Sequence, residues 1–212
     1  MSAMEIGFDR EDVKPQFFKS HKFKAGKTVR CGVVFRDERK PFKATKVHFN
    51  QRYYVCKSTK ENPAICCTHA YKGNDPRWRL GAVLVVYDIK KVDGKDKLTG
   101  YELVPWIFND KKYQRLNEAN KEFPLKSHDI LVTCDNEEFQ NIIIQSCNSC
   151  FWRSKPELEE KILKEADPLF EKIGSNLASD LSLEEIRELL GIDTAGSDDA
   201  ATDVQLDDVL DV

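Results

Sequence analysis

Residues 78–89 carry the strongest strand signal in the chain, with Val83, Leu84, Val85 and Val86 at the centre of the run. A charged, glycine-containing turn is expected over 92–100, and 101–108 supplies a partner strand. This pair commits the chain to a β-rich fold, and other short runs agree with it. Residues 28–35 and 44–49 are β-branched or aromatic, split by Asp37-Glu38-Arg39-Lys40-Pro41. Residues 52–56 form a short aromatic strand, and 57–76 read as a loop. Residues 130–134 and 139–145 are two more strands around Asp135-Asn136.

Helices are fewer. Asn109 or Asp110 can cap a helix running to about Phe123. Ser154 with Glu157, and Ser182 with Glu185, have capping-box spacing. Pro168 is expected to start a second helix or kink the one it sits in, and Gly191 ends a helix over 183–190. The expected fold is mainly β: an OB-fold-like barrel with one internal helix, a C-terminal helical segment and a disordered acidic tail. Another small barrel or sandwich fits the same order. The expected division is an N-terminal arm at 1–26, an OB-like DNA-binding core at 27–153, a helical segment at 154–192 and the tail at 193–212.

Charge is segregated along the 212 residues. Residues 1–100 hold 22 Lys+Arg against 11 Asp+Glu, whereas 156–212 hold 4 against 17. A basic end and an acidic end point to a polyanion site and an acidic tail. The 7 acidic and no basic residues of 193–212 predict disorder. Its tip, Asp207-Asp208-Val209-Leu210-Asp211-Val212, mixes acid with aliphatics and is the expected partner-binding end. No run approaches the roughly 18–20 apolar residues of a membrane span. No secretory h-region is visible in 1–10, so an intracellular, cytoplasmic location is expected. Seven Cys, an odd count, then argues for reduced thiols or metal ligands.

Residues 14–60 hold 14 Lys+Arg against 2 Asp+Glu, interleaved with Phe17, Phe18, Phe23, Phe35, Phe42, Phe49, Tyr53 and Tyr54. Cations neutralise phosphates and release counterions, and aromatic rings stack unpaired bases. Stacking needs bases out of a duplex, so the combination favours single strands. Lys22, Lys24, Lys27, Arg30, Arg36, Arg39, Lys43, Lys46 and Arg52 are candidates for the backbone, and Tyr53 and Tyr54 for bases. Trp78, between Arg77 and Arg79, is placed to stack a base beside phosphate-holding arginines. Trp106 and Phe108 share one face of the partner strand by alternation. The alternative is that the rings are core and the charges a solvated face.

His48, Cys56, Cys66 and His69 run in order, and Cys-x-x-His puts two ligands on one tight turn. Together they make a candidate tetrahedral structural zinc site, with adjacent Cys67 as a competing ligand. The alternative is a set of small, unligated thiols. Cys147-x-x-Cys150 stands alone and reads as two free thiols at a strand end. Gly26-Lys27-Thr28 is no phosphate loop, because His21 stands where that motif needs Gly and a strand follows. No Ser/His/Asp or Cys/His arrangement has a local signature, so a non-enzymatic role is expected.

Several segments resemble the helix-destabilising, single-stranded DNA-binding proteins of T4-type phages. They are His48…Tyr53-Tyr54-Val55-Cys56, Cys66-x-x-His69, Trp78…Ala82-Val83-Leu84-Val85-Val86 and Trp106-Ile107-Phe108-x-x-Lys111-Lys112-x-x-x-Leu116. The resemblance implies an OB fold, a structural zinc on one His and three Cys, and an aromatic-basic groove that includes Lys111 and Lys112. It also implies an acidic tail that recruits replication, recombination and repair proteins. By it, His48, Cys56 and Cys66 fall on ligand positions, and His69 stands where the family has Cys. The His48–Cys56 interval is shorter than in the family, and residues 1–12 lack its basic cooperativity motif. The resulting expectation is a protein that coats single-stranded DNA. The rival is an RNA-binding or zinc-containing transcription or interaction module.

Overall fold

A computed structural model of the chain describes residues 18–36, 40–69, 75–136, 138, 140–153 and 155–192. Residues 1–17 of the expected arm, Arg39, Ser154, Phe139 and the whole tail including Asp207, Asp208, Val209, Leu210, Asp211 and Val212 lie outside the described residues. In chain order the elements are β1 (Thr28–Val33), β2 (Lys43–Asn50), β3 (Arg52–Val55), α1 (Ile65–Thr68), β4 (Arg77–Val92) and β5 (Lys95–Asn109). They continue with α2 (Asp110–Glu122), β6 (Ile130–Asn136), β7 (Asn141–Ser146), α3 (Pro156–Asn176) and α4 (Leu183–Leu190). Mainly β is therefore the observed class. Two compact units are formed. One holds the residues up to Thr45 and Trp78–Leu177, the other Lys46–Arg77 and the residues from Ala178 on.

In the first unit the strands pair antiparallel in the order β5-β4-β1-β6-β7. β5 and β7 stand at opposite ends of this path and do not pair with each other, so the sheet is open where a closed barrel was expected. The long hairpin β4–β5 also departs from expectation. Its turn is only Asp93-Gly94, with φ of 52° and 72°, and Val92 already pairs with Lys95. Asp-Gly suits the two positive φ angles of a type I′ turn, which keeps the flanking strands in register. The lysine-rich stretch expected as turn is therefore strand.

The apolar run at the centre of β4 is buried on both faces. Leu80, Ala82 and Leu84 join a core with Phe23, Trp106, Phe108, Leu116 and Ile130. Val83 and Val85 face the other way, into a core with Trp152, Ile162, Phe170 and Ile173. Helix α3 supplies that second layer and packs on β5. Gly81 lies on the α3 face, where a Cβ would sit 2.3 Å from Ile173 Cγ2, so only glycine admits the helix this close. Pro168 neither ends α3 nor starts a new helix; it lies inside one continuous element. Asn109 caps α2 by accepting the Lys112 N–H.

The second unit is small. The β2–β3 hairpin pairs His48 with Tyr54 and Phe49 with Tyr53. Helix α4 begins with a complete Ser182/Glu185 capping box and ends at Gly191 with φ 66°. Its approach is tied to β3 by two backbone bonds, Val55 N–H to Ser179 O and Ser179 N–H to Tyr53 O. Tyr54, Cys66, Leu181, Ile186 and Leu190 form the core, a modest apolar cluster for a unit of this size. Among the described residues, no helix is long and apolar enough to cross a membrane.

Candidate metal centre and nucleic-acid interface

The metal-ligating groups are assembled by hairpin register. Val47 pairs with Val55, and the ladder runs one step further, with Cys56 N–H donating to Lys46 O at 2.9 Å. Alternation then puts His48, Tyr54 and Cys56 on one face. The loop after Cys56 is closed by Ala64 N–H donating to Ser58 Oγ at 2.7 Å. That closure delivers α1 beneath the hairpin face. Cys66 and Cys67 both belong to this single helical turn.

The resulting donor set is His48, Cys56, Cys66 and Cys67, with all four ligand atoms within 4.8 Å of one another. Cys67 Sγ lies 3.4 Å from His48 Nε2 and 3.5 Å from Cys56 Sγ. Tetrahedral bonds of about 2.3 Å to sulfur and about 2.0 Å to nitrogen require ligand separations of roughly 3.5–3.8 Å. Three soft thiols and an imidazole in this arrangement fit a metal ion. Burial pushes the Cys56 thiol up to about 11, so a bound cation is what would favour its thiolate.

His69 is not in the cluster; it caps the exposed end of α1, its Nδ1 3.0 Å from Thr68 Oγ1. Cys67 takes the place expected of it. As the C-cap residue of α1, His69 is exposed and outside the cluster that Cys66 and Cys67 join.

The stacking candidates divide by exposure. Trp78 is 47% exposed and Tyr53 42%, while Phe49, opposite Tyr53 with ring centroids 4.9 Å apart, is 54% exposed. Trp106, Phe108 and Tyr54 are buried and offer no face to a base, which corrects their expected role. Trp106 and Phe108 stack in the first core, and Tyr54 lies against the His48 ring at 5.5 Å. The same alternation that buries His48 and Tyr54 turns Phe49 and Tyr53 outward, a signal that would have added Phe49 to the site.

Trp78 occupies the core-facing phase of β4, two residues before Leu80, but beyond the rim of the core. There it lines a groove of about 420 Å³ with Lys40, Phe42, Leu80, Asp110 and Tyr113. Phe42 is held edge-on between Phe108 and Tyr113, with both centroid distances 5.7 Å. A neighbouring hollow of about 460 Å³ shares Phe42 and Lys40 and adds Arg36 and Lys43. Phe42, Tyr113 and Lys40 were not among the candidates, because their convergence depends on α2 folding back over residues 40–44.

The cations also divide. Arg30 donates from Nε to the buried Asp129 at 3.0 Å and from Nη2 to Ser149, and lies over the Phe151 ring. Arg36 is paired with Asp167 and Glu171 of α3. Arg30 is therefore held within the unit by a buried carboxylate, against the expectation that it tracks a backbone, whereas Arg36 is half-exposed beside exposed carboxylates. Arg79 gives Nη1 to Leu177 O at 2.6 Å. Lys22, Lys24, Lys27, Lys46, Arg52, Arg77 and Lys111 are exposed. Lys43 is half-buried, as is Lys112, whose ammonium burial holds below the ordinary lysine range. No protein-family model matches this chain, and no curated protein matches it.

Proposed function

We propose that the protein binds and coats single-stranded DNA, without catalysing a reaction. The observation that carries the reading is where the exposed rings fall. Among the described residues the large exposed aromatics are Phe49, Tyr53 and Trp78, all within the basic part of the chain. Rings about half exposed offer faces on which unpaired bases stack at about 1–3 kcal/mol each. Exposed Lys and Arg around them supply phosphate contacts. Trp78 stacks in the groove with Lys40 nearby, and Phe49 and Tyr53 form a second stacking pair on the hairpin.

Zinc is the metal this reading assigns to His48, Cys56, Cys66 and Cys67, since one imidazole and three thiolates with no open position make a structural site. The OB-type architecture and the tail's recruitment of replication, recombination or repair proteins rest on the resemblance to the T4-type family. The helix α2 between strands β5 and β6 is compatible with that architecture. The test is titration with labelled oligothymidine and with a duplex of equal length at several salt concentrations. Tight single-strand binding that weakens linearly in log–log salt is expected. No binding at low salt, or equal affinity for the duplex, would refute the proposal.

A further inference from the structure

Strand edges are guarded at β3 and β5 and open at β7. The outer edge of β3 is taken by Ser179, through its backbone bonds with Tyr53 and Val55. On the outer edge of β5, His21 N–H donates to Pro105 O at 2.7 Å and Ile107 N–H to Ser20 Oγ at 2.8 Å, and Pro105 has no N–H to offer. The rest of that strand carries Lys95, Asp96, Lys97 and Glu102. Charges, proline and covering segments are the usual protection of a sheet edge against pairing with another chain. The outer edge of β7 has none of them. Asn141-Ile142-Ile143-Ile144-Gln145-Ser146 is uncharged and lacks proline, and among the described residues no other segment's backbone bonds to that edge. Ile142 lies in the first core with Ile144 packed against it, while Ile143, on the opposite face, is 49% exposed.

The strand is also its own complement. An antiparallel pair centred on Ile143 sets Ile143 against Ile143 of a second copy, Ile142 against Ile144, and Asn141 against Gln145. Directly opposed residues share a face, so apolar side chains meet apolar ones on both faces and amide meets amide. Parallel pairing would set the two acidic strand connections, with Asp135 and Glu138, side by side, whereas antiparallel pairing puts them at opposite ends. We propose that two copies of the protein pair through β7, joining their sheets into one antiparallel sheet about a two-fold axis at Ile143. Such a contact uses the same patch on both copies, so it closes at two and builds no filament. Six residues of strand make a small interface, in the range of weak and transient contacts, so the dimer forms at high protein concentration. It stands apart from the single-strand reading, which neither requires nor forbids it.

The experiment is sedimentation velocity of the full chain without DNA, from low micromolar to millimolar concentration. The native protein is expected to pass from monomer to dimer with rising concentration and to stop there. Ile143→Lys places like charges opposite each other on the axis and is expected to keep the protein monomeric. Asn141→Lys with Gln145→Lys does the same at the flanking pairs. Asn141→Lys with Gln145→Glu sets lysine against glutamate twice and is expected to dimerise at least as tightly as the native protein. All three positions are exposed, and an unchanged circular dichroism spectrum checks the fold of each variant. A native protein that stays monomeric would overturn the proposal and leave the edge to a strand of another protein. A dimer that survives Ile143→Lys, or a Lys/Glu variant as monomeric as the Lys/Lys one, would overturn it as well.

Discussion

Asp129 is the residue on which the first unit's polar interior turns. It is fully buried and accepts from Arg30 Nε, the Tyr87 hydroxyl at 2.7 Å and the Phe151 N–H at 3.1 Å. A buried carboxylate is tolerated only with its partners in place, and removing one member leaves the others desolvated and unpaired. Asp129→Ala is therefore expected to destabilise the protein by about 3–5 kcal/mol, measured by chemical denaturation. A loss under about 1 kcal/mol would mean that Arg30 finds solvent or another acceptor. The same network shows that basic residue type alone does not say which side chains face solvent. Arg30 and Lys27 look alike as letters in a basic stretch, yet one is closed into an ion pair and the other faces solvent. Trp78 and Trp106 differ in the same way: residue type marked both as candidates, and only their position along β4 and β5 says which ring passes beyond the core.

At the level of elements, strand and helix content was legible because it rests on local pattern. The β4 run, the α2 cap and the α4 capping box all lie in short sequence windows. The length of the β4–β5 hairpin was not, because Lys95–Gly100 has weak strand propensity and is held by pairing with β4. The metal centre lies between these cases. His48, Cys56 and Cys66 were legible from type and spacing, but the choice between Cys67 and His69 depends on how α1 is rotated beneath the hairpin. That choice has a direct test. Protein prepared without chelator is expected to carry about one zinc per chain, His69→Ala to keep it, and Cys67→Ser to lose most of it. Chelation should lower the thermal stability of the second unit, whose apolar core is modest and whose 57–64 loop has no regular structure. Metal lost from His69→Ala and retained by Cys67→Ser would reverse the assignment.

For the whole molecule, charge segregation is the organising feature. The described residues carry the exposed cations and rings, and the last 20 residues hold 7 acidic side chains and no basic ones. On the proposed single-strand reading, an acidic segment on the same chain would compete with DNA for these cations at high effective concentration. Deleting 193–212 is expected to raise single-strand affinity several-fold at low salt, with the gain shrinking as salt screens the tail. Unchanged affinity in a fluorescence titration would remove tail competition from the account. The open sheet, by contrast, could not be read in advance, because closure depends on whether the first and last strands meet, and no local window encodes that.

The most direct measurement of the central claim uses the tryptophans themselves. Of the three, Trp106 and Trp152 are 1% exposed and Trp78 is 47% exposed, so a change in intrinsic emission on binding reports on Trp78. Adding oligothymidine at low salt is expected to quench that emission by base stacking, with little effect from duplex DNA, and Trp78→Phe should abolish most of the response. Emission unmoved by single strands while binding is detected otherwise, or quenched equally by duplex, would contradict the stacking groove.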